Sequence, residues 1–171
     1  VDCHSEEGLI TTFVDWWQRH TPEVITGWNC EMYDIPYLMG RMERIMGEKY
    51  AKRMSPWGIV RKNEITIQGR ANIVYDIAGI SVIDYLDLYK KSPATPNQES
   101  FRLDHIALME LGQQKLDHSE FDTFREFYTG NWQKFVDYNI VDVELVDKLE
   151  DKLKLIDLCC TRAYDAKINF T

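Results

Sequence analysis

The sequence predicts a mixed α/β domain, and three observations support this prediction. Residues 24–28 form a short apolar run that is typical of a buried strand. On either side of it, residues 6–20 and 34–45 place apolar side chains three and four positions apart, as helices do. Further along, the polar residues 68–72 separate two β-branched stretches, a pattern that predicts a hairpin. Strands and helices in this order favour an α/β fold.

The first helix is expected to span residues 6–20 and to end before Pro22. The second is expected to begin at Asp34, which stands where a helix N-cap would stand, with Pro36 in the first turn. Gly47 is its expected end.

Residues 80–89 are rich in β-branched and aromatic side chains and are expected to form a further strand. Residues 93–97 predict a loop, and Ser100 can cap a helix that ends near Gly112. The clearest helix is the last one, where apolar residues recur every three or four positions: Val136, Ile140, Val143, Val146, Leu149, Leu153 and Ile156.

Composition excludes several classes of protein. The 171 residues suit one domain, and 44% hydrophobic residues exclude a disordered chain. The net charge of −8 argues against a protein that holds nucleic acid by a broad basic surface. It leaves open an enzyme that binds nucleic acid locally and holds metal ions with carboxylates. No apolar run approaches the ~20 residues of a membrane span, so no membrane partner is expected.

The four cysteines include no C-x-x-C pair, so neither a zinc site nor a disulfide framework is expected. A reducing compartment is the default, and we expect a cytoplasmic rather than a secreted protein. The chain begins on Val1 instead of methionine, and we expect it to be a piece of a longer protein.

The first candidate for chemistry is Asp34, at the end of the segment 27–34 that passes from an apolar strand through a polar turn. A carboxylate in this position lies at the mouth of a sheet, where α/β folds bind ligands. The simpler interpretation is that Asp34 only caps the following helix, which is worth about 1 kcal/mol. Both interpretations can hold, because a cap fixes the direction of the carboxylate.

The second candidate is the pair Tyr138 and Asp142, which share a face of the last helix because they are four residues apart. A phenol beside a carboxylate can orient a water molecule for attack. A Y-x-x-x-D match is expected by chance about once in a chain of this composition. The isolated match therefore carries no weight.

Order and context change this conclusion. The N-x-x-x-[FY]-D-x-P-Y run at residues 29–37, followed by Y-x-x-x-D at residues 138–142, resembles the 3′–5′ proofreading exonuclease domain of family B DNA polymerases. Within this family, the sequence resembles in particular the replicative polymerases of T-even-type bacteriophages. The resemblance extends, in order, over further segments at residues 21–22, 51–56, 79–91 and 100–104.

The resemblance implies the tyrosine subclass of the DEDD nucleases, with a ribonuclease H-like mixed sheet, flanking helices and an inserted β-hairpin. Four carboxylates and two divalent metals, Mg²⁺ or Mn²⁺, are implied as well. Asp142 is implied as a ligand of the nucleophile-side metal, Tyr138 as the group that orients the attacking water, and Asp34 as a holder of the second metal through bound water. Lys115 matches a lysine that approaches the scissile phosphate, with a solvated surface lysine as the alternative.

The implied partners are the single-stranded 3′ end of primer DNA and the remainder of a polymerase chain. Asn29 and Tyr33 would line the DNA end, unless Tyr33 belongs to the core. The hairpin at Gly69 and Arg70 resembles one that helps to separate primer from template, with an ordinary solvated hairpin as the alternative. Five basic residues form a cluster that either contacts a DNA backbone along its length or is only a solvated face: Lys49, Lys52, Arg53, Arg61 and Lys62.

The family's first motif, a D-x-E that supplies two of the four carboxylates, is absent before Asn29. The D-x-E at residues 142–144 is rejected as a substitute, because it follows the third motif and places Val143 on the expected buried face. We therefore expect residues 1–171 to be a partial exonuclease domain that lacks its N-terminal strands. Weak metal binding, little activity of the chain alone, and self-association through an unpaired sheet edge are expected to follow.

Two other interpretations remain open. One is a non-catalytic interaction module that keeps a nuclease-like fold; a D-x-E encoded upstream and polymerase motifs downstream would argue against it. The other is a free-standing DEDD nuclease, which a comparison of DNA and RNA degradation by the full-length domain would distinguish.

Overall fold

The structure, a computed structural model, describes residues 3–67, 69–113 and 123–168. They form two compact units, with the boundary in the chain between Asp84 and Tyr85. The helices are α1 (Glu6–His20), α2 (Asp34–Met46), α3 (Glu48–Ala51), α4 (Tyr85–Lys91), α5 (Leu103–Leu111), α6 (Phe124–Gly130), α7 (Trp132–Leu153) and α8 (Leu155–Ala166), with a 3₁₀ turn at Lys52–Met54. The strands are β1 (Val24–Gly27), β2 (Val60–Ile67), β3 (Arg70–Ile77) and β4 (Ser81–Asp84).

Both sheets of the described residues belong to the first unit, and each has two strands. β1 and β4 pair in parallel, so Gly27 lies opposite Asp84 at the carboxyl ends of the two strands. β2 and β3 form an antiparallel hairpin in which Ile67 is opposite Arg70. Helices with parallel and antiparallel strands confirm the mixed α/β class. The hairpin strands are longer than predicted, because pairing continues to Arg70 and shortens the expected loop at 68–72.

Helix α1 has the predicted bounds, and local signals account for them. The backbone N–H of Gly8 donates to Oγ of the N-cap Ser5 at 3.0 Å, which satisfies one of the free amides of the first turn. Ile10, Val14 and Trp17 are buried at helical spacing, and the Trp17 indole N–H donates to the Met54 carbonyl at 2.8 Å. The apolar core of the first unit comprises Ile10, Val14, Trp17, Ile35, Met39, Met42, Ala51, Met54, Tyr75, Ile77 and Ile80.

The strand predicted over residues 80–89 is wrong in its second half, since β4 ends at Asp84 and α4 begins at Tyr85. Tyr85 and Tyr89 are one helical turn apart and both fully buried. Aromatic residues favour strands only weakly, and packing of one helix face prevails over that preference here. The hydroxyl of Tyr89 donates to Glu110 Oε1 at 2.8 Å, which ties α4 to α5 within the second unit.

The expected cap of the next helix is also corrected. α5 begins at Leu103 with Arg102 at the N-cap, and Ser100, two residues before the N-cap, accepts a hydrogen bond from the Arg102 N–H at 3.3 Å through its Oγ. The end of the helix is confirmed: Gly112 terminates it with a φ of 67°, a left-handed conformation that glycine adopts without strain.

The last predicted helix is in fact two. Lys154 takes the left-handed conformation, with a φ of 53°, and separates α7 from α8. Val143 is 71% exposed, contrary to the prediction, because α7 buries the face of Leu145, Val146 and Leu149 instead. At 22 residues α7 is the longest helix described, and neither it nor another helix of the described ranges is long and apolar enough to cross a membrane.

Candidate functional site

The turn between β1 and α2 is tightly wound. Asn29 has a φ of 67°, in the left-handed region that asparagine tolerates better than most residues. Gly27 precedes it, and a Cβ added at Gly27 would lie 2.9 Å from the Cβ of Cys30, which is closer than real Cβ atoms approach. The carbonyls of Asn29 and Cys30 then accept hydrogen bonds from the Tyr33 and Ile35 amides at 3.1 and 3.0 Å. The turn thus leads directly into α2.

Asp34 is the first residue of α2, and Tyr33, not Asp34, occupies the N-cap position without a side-chain cap bond. The expected N-cap role of Asp34 is therefore wrong, because the turn at Asn29–Tyr33 already starts the helix. Asp34 is exposed, as a group that meets a ligand must be. Desolvation, with a contribution from the negative charge of Asp84, raises the pKa of the Asp34 carboxyl, although a hydrogen bond from its own N–H opposes this.

Asp84 is a site residue that sequence reasoning missed. It ends β4, is only 7% exposed, and its carboxylate reaches the β1–α2 turn. The amide of Asn29 donates to Oδ1 at 3.0 Å and the amide of Glu31 donates to Oδ2 at 3.1 Å. Cys30 lies between these amides and is buried, and burial together with the charges of Asp84 and Asp34 raises the pKa of its thiol to about 12. Cys30 is therefore a neutral thiol at physiological pH.

Tyr33 is 73% exposed, which excludes its interpretation as a core residue. Asn29 is half-buried in the same turn. The structure thus places three predicted site residues of the first unit close together in the chain: Asn29 and Tyr33 in the β1–α2 turn, and Asp34 at the start of α2.

Tyr138 and Asp142 lie one turn apart on α7 and both are half-buried. They continue the row of Leu145 and Leu149, at spacings of four, three and four residues, so two polar side chains occupy positions on the buried face of the helix. The Tyr138 ring packs edge-on against Phe127, with ring centroids 5.7 Å apart. These two polar residues interrupt the apolar row of α7, and this interruption is a signal that the sequence pattern alone could have given for both positions.

The hairpin residues Gly69 and Arg70 are both exposed, and the φ of 76° at Gly69 is one that glycine adopts without strain. Four members of the basic cluster each face a carboxylate, which balances their charge locally and favours the solvated-face interpretation. The pairs are Lys52 with Glu48, Arg53 with Asp15, Arg61 with Asp76, and Lys62 with Glu43, at 3.2, 2.9, 2.8 and 2.7 Å. Lys115 lies outside the described residues.

The carboxylates fit divalent metals in kind, because Mg²⁺ and Mn²⁺ prefer oxygen ligands. They do not fit in number: within residues 3–67, 69–113 and 123–168, no three His, Cys, Asp or Glu side chains are grouped so that they could hold a metal ion. A metal-dependent step would therefore need more carboxylates than the described residues bring together.

Comparison with known proteins gives the family. Residues 1–106 match the family described as DNA polymerase family B, exonuclease domain. The DNA-directed DNA polymerases of Enterobacteria phage T4 and Escherichia phage RB69 are 37% and 39% identical over 167 and 164 residues, which is 98% and 96% of this chain. The DNA polymerase of Bombyx mori nuclear polyhedrosis virus is 29% identical over 160 residues, 92% of this chain.

The chain spans only 18% of the length of the two phage relatives and 16% of the insect virus relative. The family match nevertheless covers more than half of the 171 residues. The family match and the two phage relatives confirm the resemblance to family B DNA polymerases, and the chain belongs to the exonuclease domain of DNA polymerase family B.

Proposed function

We propose that this chain is part of the proofreading site of a family B DNA polymerase, which removes nucleotides from the 3′ end of primer DNA. The observation that carries the proposal is the exposed carboxylate of Asp34 at the start of α2, beside exposed Tyr33, in a chain of this family. Asp34 and Asp142 would be two of four metal-holding carboxylates, and Tyr138 would orient the attacking water. Lys115 would approach the scissile phosphate.

Asn29 and Tyr33 would contact the single-stranded end. Tyr33 offers an exposed ring on which a base can stack, and Asn29 offers an amide for hydrogen bonding. Gly69 and Arg70, at the exposed end of the hairpin, would help to separate primer from template. The fold would be the ribonuclease H-like sheet of the family, and residues 1–171 would be part of one exonuclease domain. A reducing compartment such as the cytoplasm of a bacterial host is proposed, and four free cysteines are consistent with it.

The metals are proposed for the longer polypeptide only. Two bound divalent ions would activate water and stabilise the leaving 3′ oxygen, and they need more carboxylates than the described residues bring together. A D-x-E segment encoded upstream of Val1 would supply the missing pair. Reading the coding sequence upstream of Val1 tests this directly.

The proposed function is tested by comparing two purified polypeptides in Mg²⁺: the 171-residue chain, and the full-length product of the same open reading frame. The full-length product should shorten a 5′-labelled single-stranded DNA from its 3′ end, whereas the chain alone should show little or no shortening and weak Mg²⁺ binding by calorimetry. Degradation of RNA in preference to DNA would favour a free-standing nuclease. No nuclease activity in the full-length product would favour an interaction module.

We further propose that the β1–β4 sheet accepts another strand. Parallel sheets normally have more than two strands and covered faces, whereas the described β1–β4 sheet has two strands. The edges of such a sheet present backbone N–H and C=O groups that can pair with another strand. The mass of the chain measured by light scattering should therefore rise with concentration. Thr26→Lys, at an exposed position of β1, should reduce the rise by placing a charge on the strand. A constant monomer mass over a hundredfold concentration range, on the order of 1–100 µM, would contradict this.

A further inference from the structure

Asp84 occupies an unusual position for an acidic residue. It is buried, and aspartate is rarely buried without partners, because removing a charge from water is unfavourable unless hydrogen bonds compensate. Both of its carboxylate oxygens accept bonds from backbone amides that belong to one turn, 55 and 53 positions earlier in the chain. The pairing of β1 with β4 makes this contact, since Gly27 and Asp84 are opposite each other where the two strands end.

The turn is shaped to receive this carboxylate. The left-handed backbone of Asn29 breaks the strand direction, and the amides of Asn29 and Glu31 converge on one anion, as the amides of backbone nests do. Bonds from neutral N–H groups to a charged acceptor are stronger than those to a neutral one. An uncharged side chain at position 84 would therefore hold the turn less firmly.

The hydrogen bonds continue from the turn to the candidate site. The carbonyl of Asn29 accepts from the Tyr33 amide, and the carbonyl of Cys30 accepts from the Ile35 amide, on the two sides of Asp34. A shift of the turn would thus move the first residues of α2 together with it. The side chain of Asn29 would change direction as well, because its backbone is fixed by the bond to Asp84.

We propose that Asp84 is a positioning residue of the proofreading site: its carboxylate fixes the Asn29–Tyr33 turn and so sets where Asn29 and Asp34 point. The inference rests on the proposed function. The proposal assigns Asp84 no contact with DNA or metal: its two oxygens accept from the backbone amides of Asn29 and Glu31. Its effect on the reaction is transmitted through the turn.

The first test needs no activity. In the purified chain, Asp84→Asn should speed hydrogen exchange of the Asn29 and Glu31 amides by about tenfold or more, because an amide side chain offers one acceptor oxygen where the carboxylate offers two. Asp76→Asn is the matched control: it removes the same charge from a residue that pairs with Arg61 on the hairpin, and it should leave these two amides unchanged. Unchanged exchange in Asp84→Asn would overturn the inference.

The second test uses excision by the full-length product. Asp84→Asn should lower kcat about tenfold, since displacement of reacting groups by a fraction of an ångström to 1 Å is enough for losses of this size or more. Asp84→Glu, which keeps both charged acceptors, should recover at least about half of that loss on a logarithmic scale. The melting temperature of each variant distinguishes a loss of kcat caused by a displaced turn from a loss caused by unfolding. Global unfolding of both variants would show that Asp84 serves stability, and would overturn the inference.

Asp34→Ala in the same polypeptide distinguishes a failure of the proposed function from a failure of the positioning role of Asp84. If Asp34→Ala leaves excision unchanged, the proposed function of the site fails. If Asp34→Ala abolishes excision while Asp84→Asn changes neither kcat nor the exchange of the turn amides, only the positioning role of Asp84 fails.

Discussion

Asp142→Ala, introduced into the full-length product, is expected to reduce excision of 3′-terminal nucleotides by about 1,000-fold or more. Asp142 is proposed as one of the carboxylates that would hold the metal ions in the full-length product. Bound there, the ions would supply several kcal/mol of transition-state stabilisation, and each 1.36 kcal/mol is a factor of ten in rate. The substitution should leave α7 folded, because Asp142 is only half-buried and alanine favours helices. The measurement is single-turnover excision of a labelled single strand.

Asp147→Ala is the matched control. Asp147 lies on the same helix, is exposed, and loses the same charge when it is replaced, so excision should stay within about twofold of the parent, as expected for an exposed position. Parallel circular dichroism spectra of both variants would show that neither loses helix. Excision by Asp142→Ala within tenfold of the parent would contradict the assignment of this residue to the site.

The parts of the fold that the sequence predicted are those with local causes. α1 and β1 lie where predicted, because Ser5 caps the helix, a left-handed Thr21 followed by Pro22 ends it, and a short apolar run follows. The end of α2 at Gly47 was predicted for the same reason. The start of α2 was misassigned by one residue, since the turn at Asn29 makes Tyr33 the N-cap and leaves Asp34 inside the helix.

Asp84 could not be predicted in this way. In the sequence it is one polar residue in a run of β-branched and aromatic residues, and nothing local distinguishes it from a solvent-facing strand position. Its role arises from the parallel pairing of β4 with β1, which brings its carboxylate to the amide of Asn29, 55 positions earlier in the chain. The exposed Val143 was missed for a related reason: apolar spacing of three and four fits two neighbouring faces of α7, and packing within the second unit selects one of them.

Tyr138→Phe has the second largest effect that we expect. Loss of the hydroxyl alone should lower kcat for excision by about 100-fold, the lower end of the range for groups that position or transfer protons. The substitution is close to isosteric. It keeps the ring, and therefore the edge-on contacts with Phe124 and Phe127 at centroid distances of 6.3 and 5.7 Å. Binding of single-stranded DNA, measured by fluorescence anisotropy, should be unchanged.

Phe127→Ala serves to distinguish the effect of the Tyr138 hydroxyl on the rate from the effect of the aromatic packing around Tyr138 on stability. Phe127 is fully buried against Phe135 and Tyr138, so its truncation should cost about 3–5 kcal/mol of stability and lower the melting temperature as well as the rate. Tyr138→Phe should lower the rate at an unchanged melting temperature, because no packing volume is lost. Equal losses of stability in both variants would mean that Tyr138 serves the aromatic cluster of α6 and α7, whereas a rate loss confined to kcat assigns its hydroxyl to the reaction.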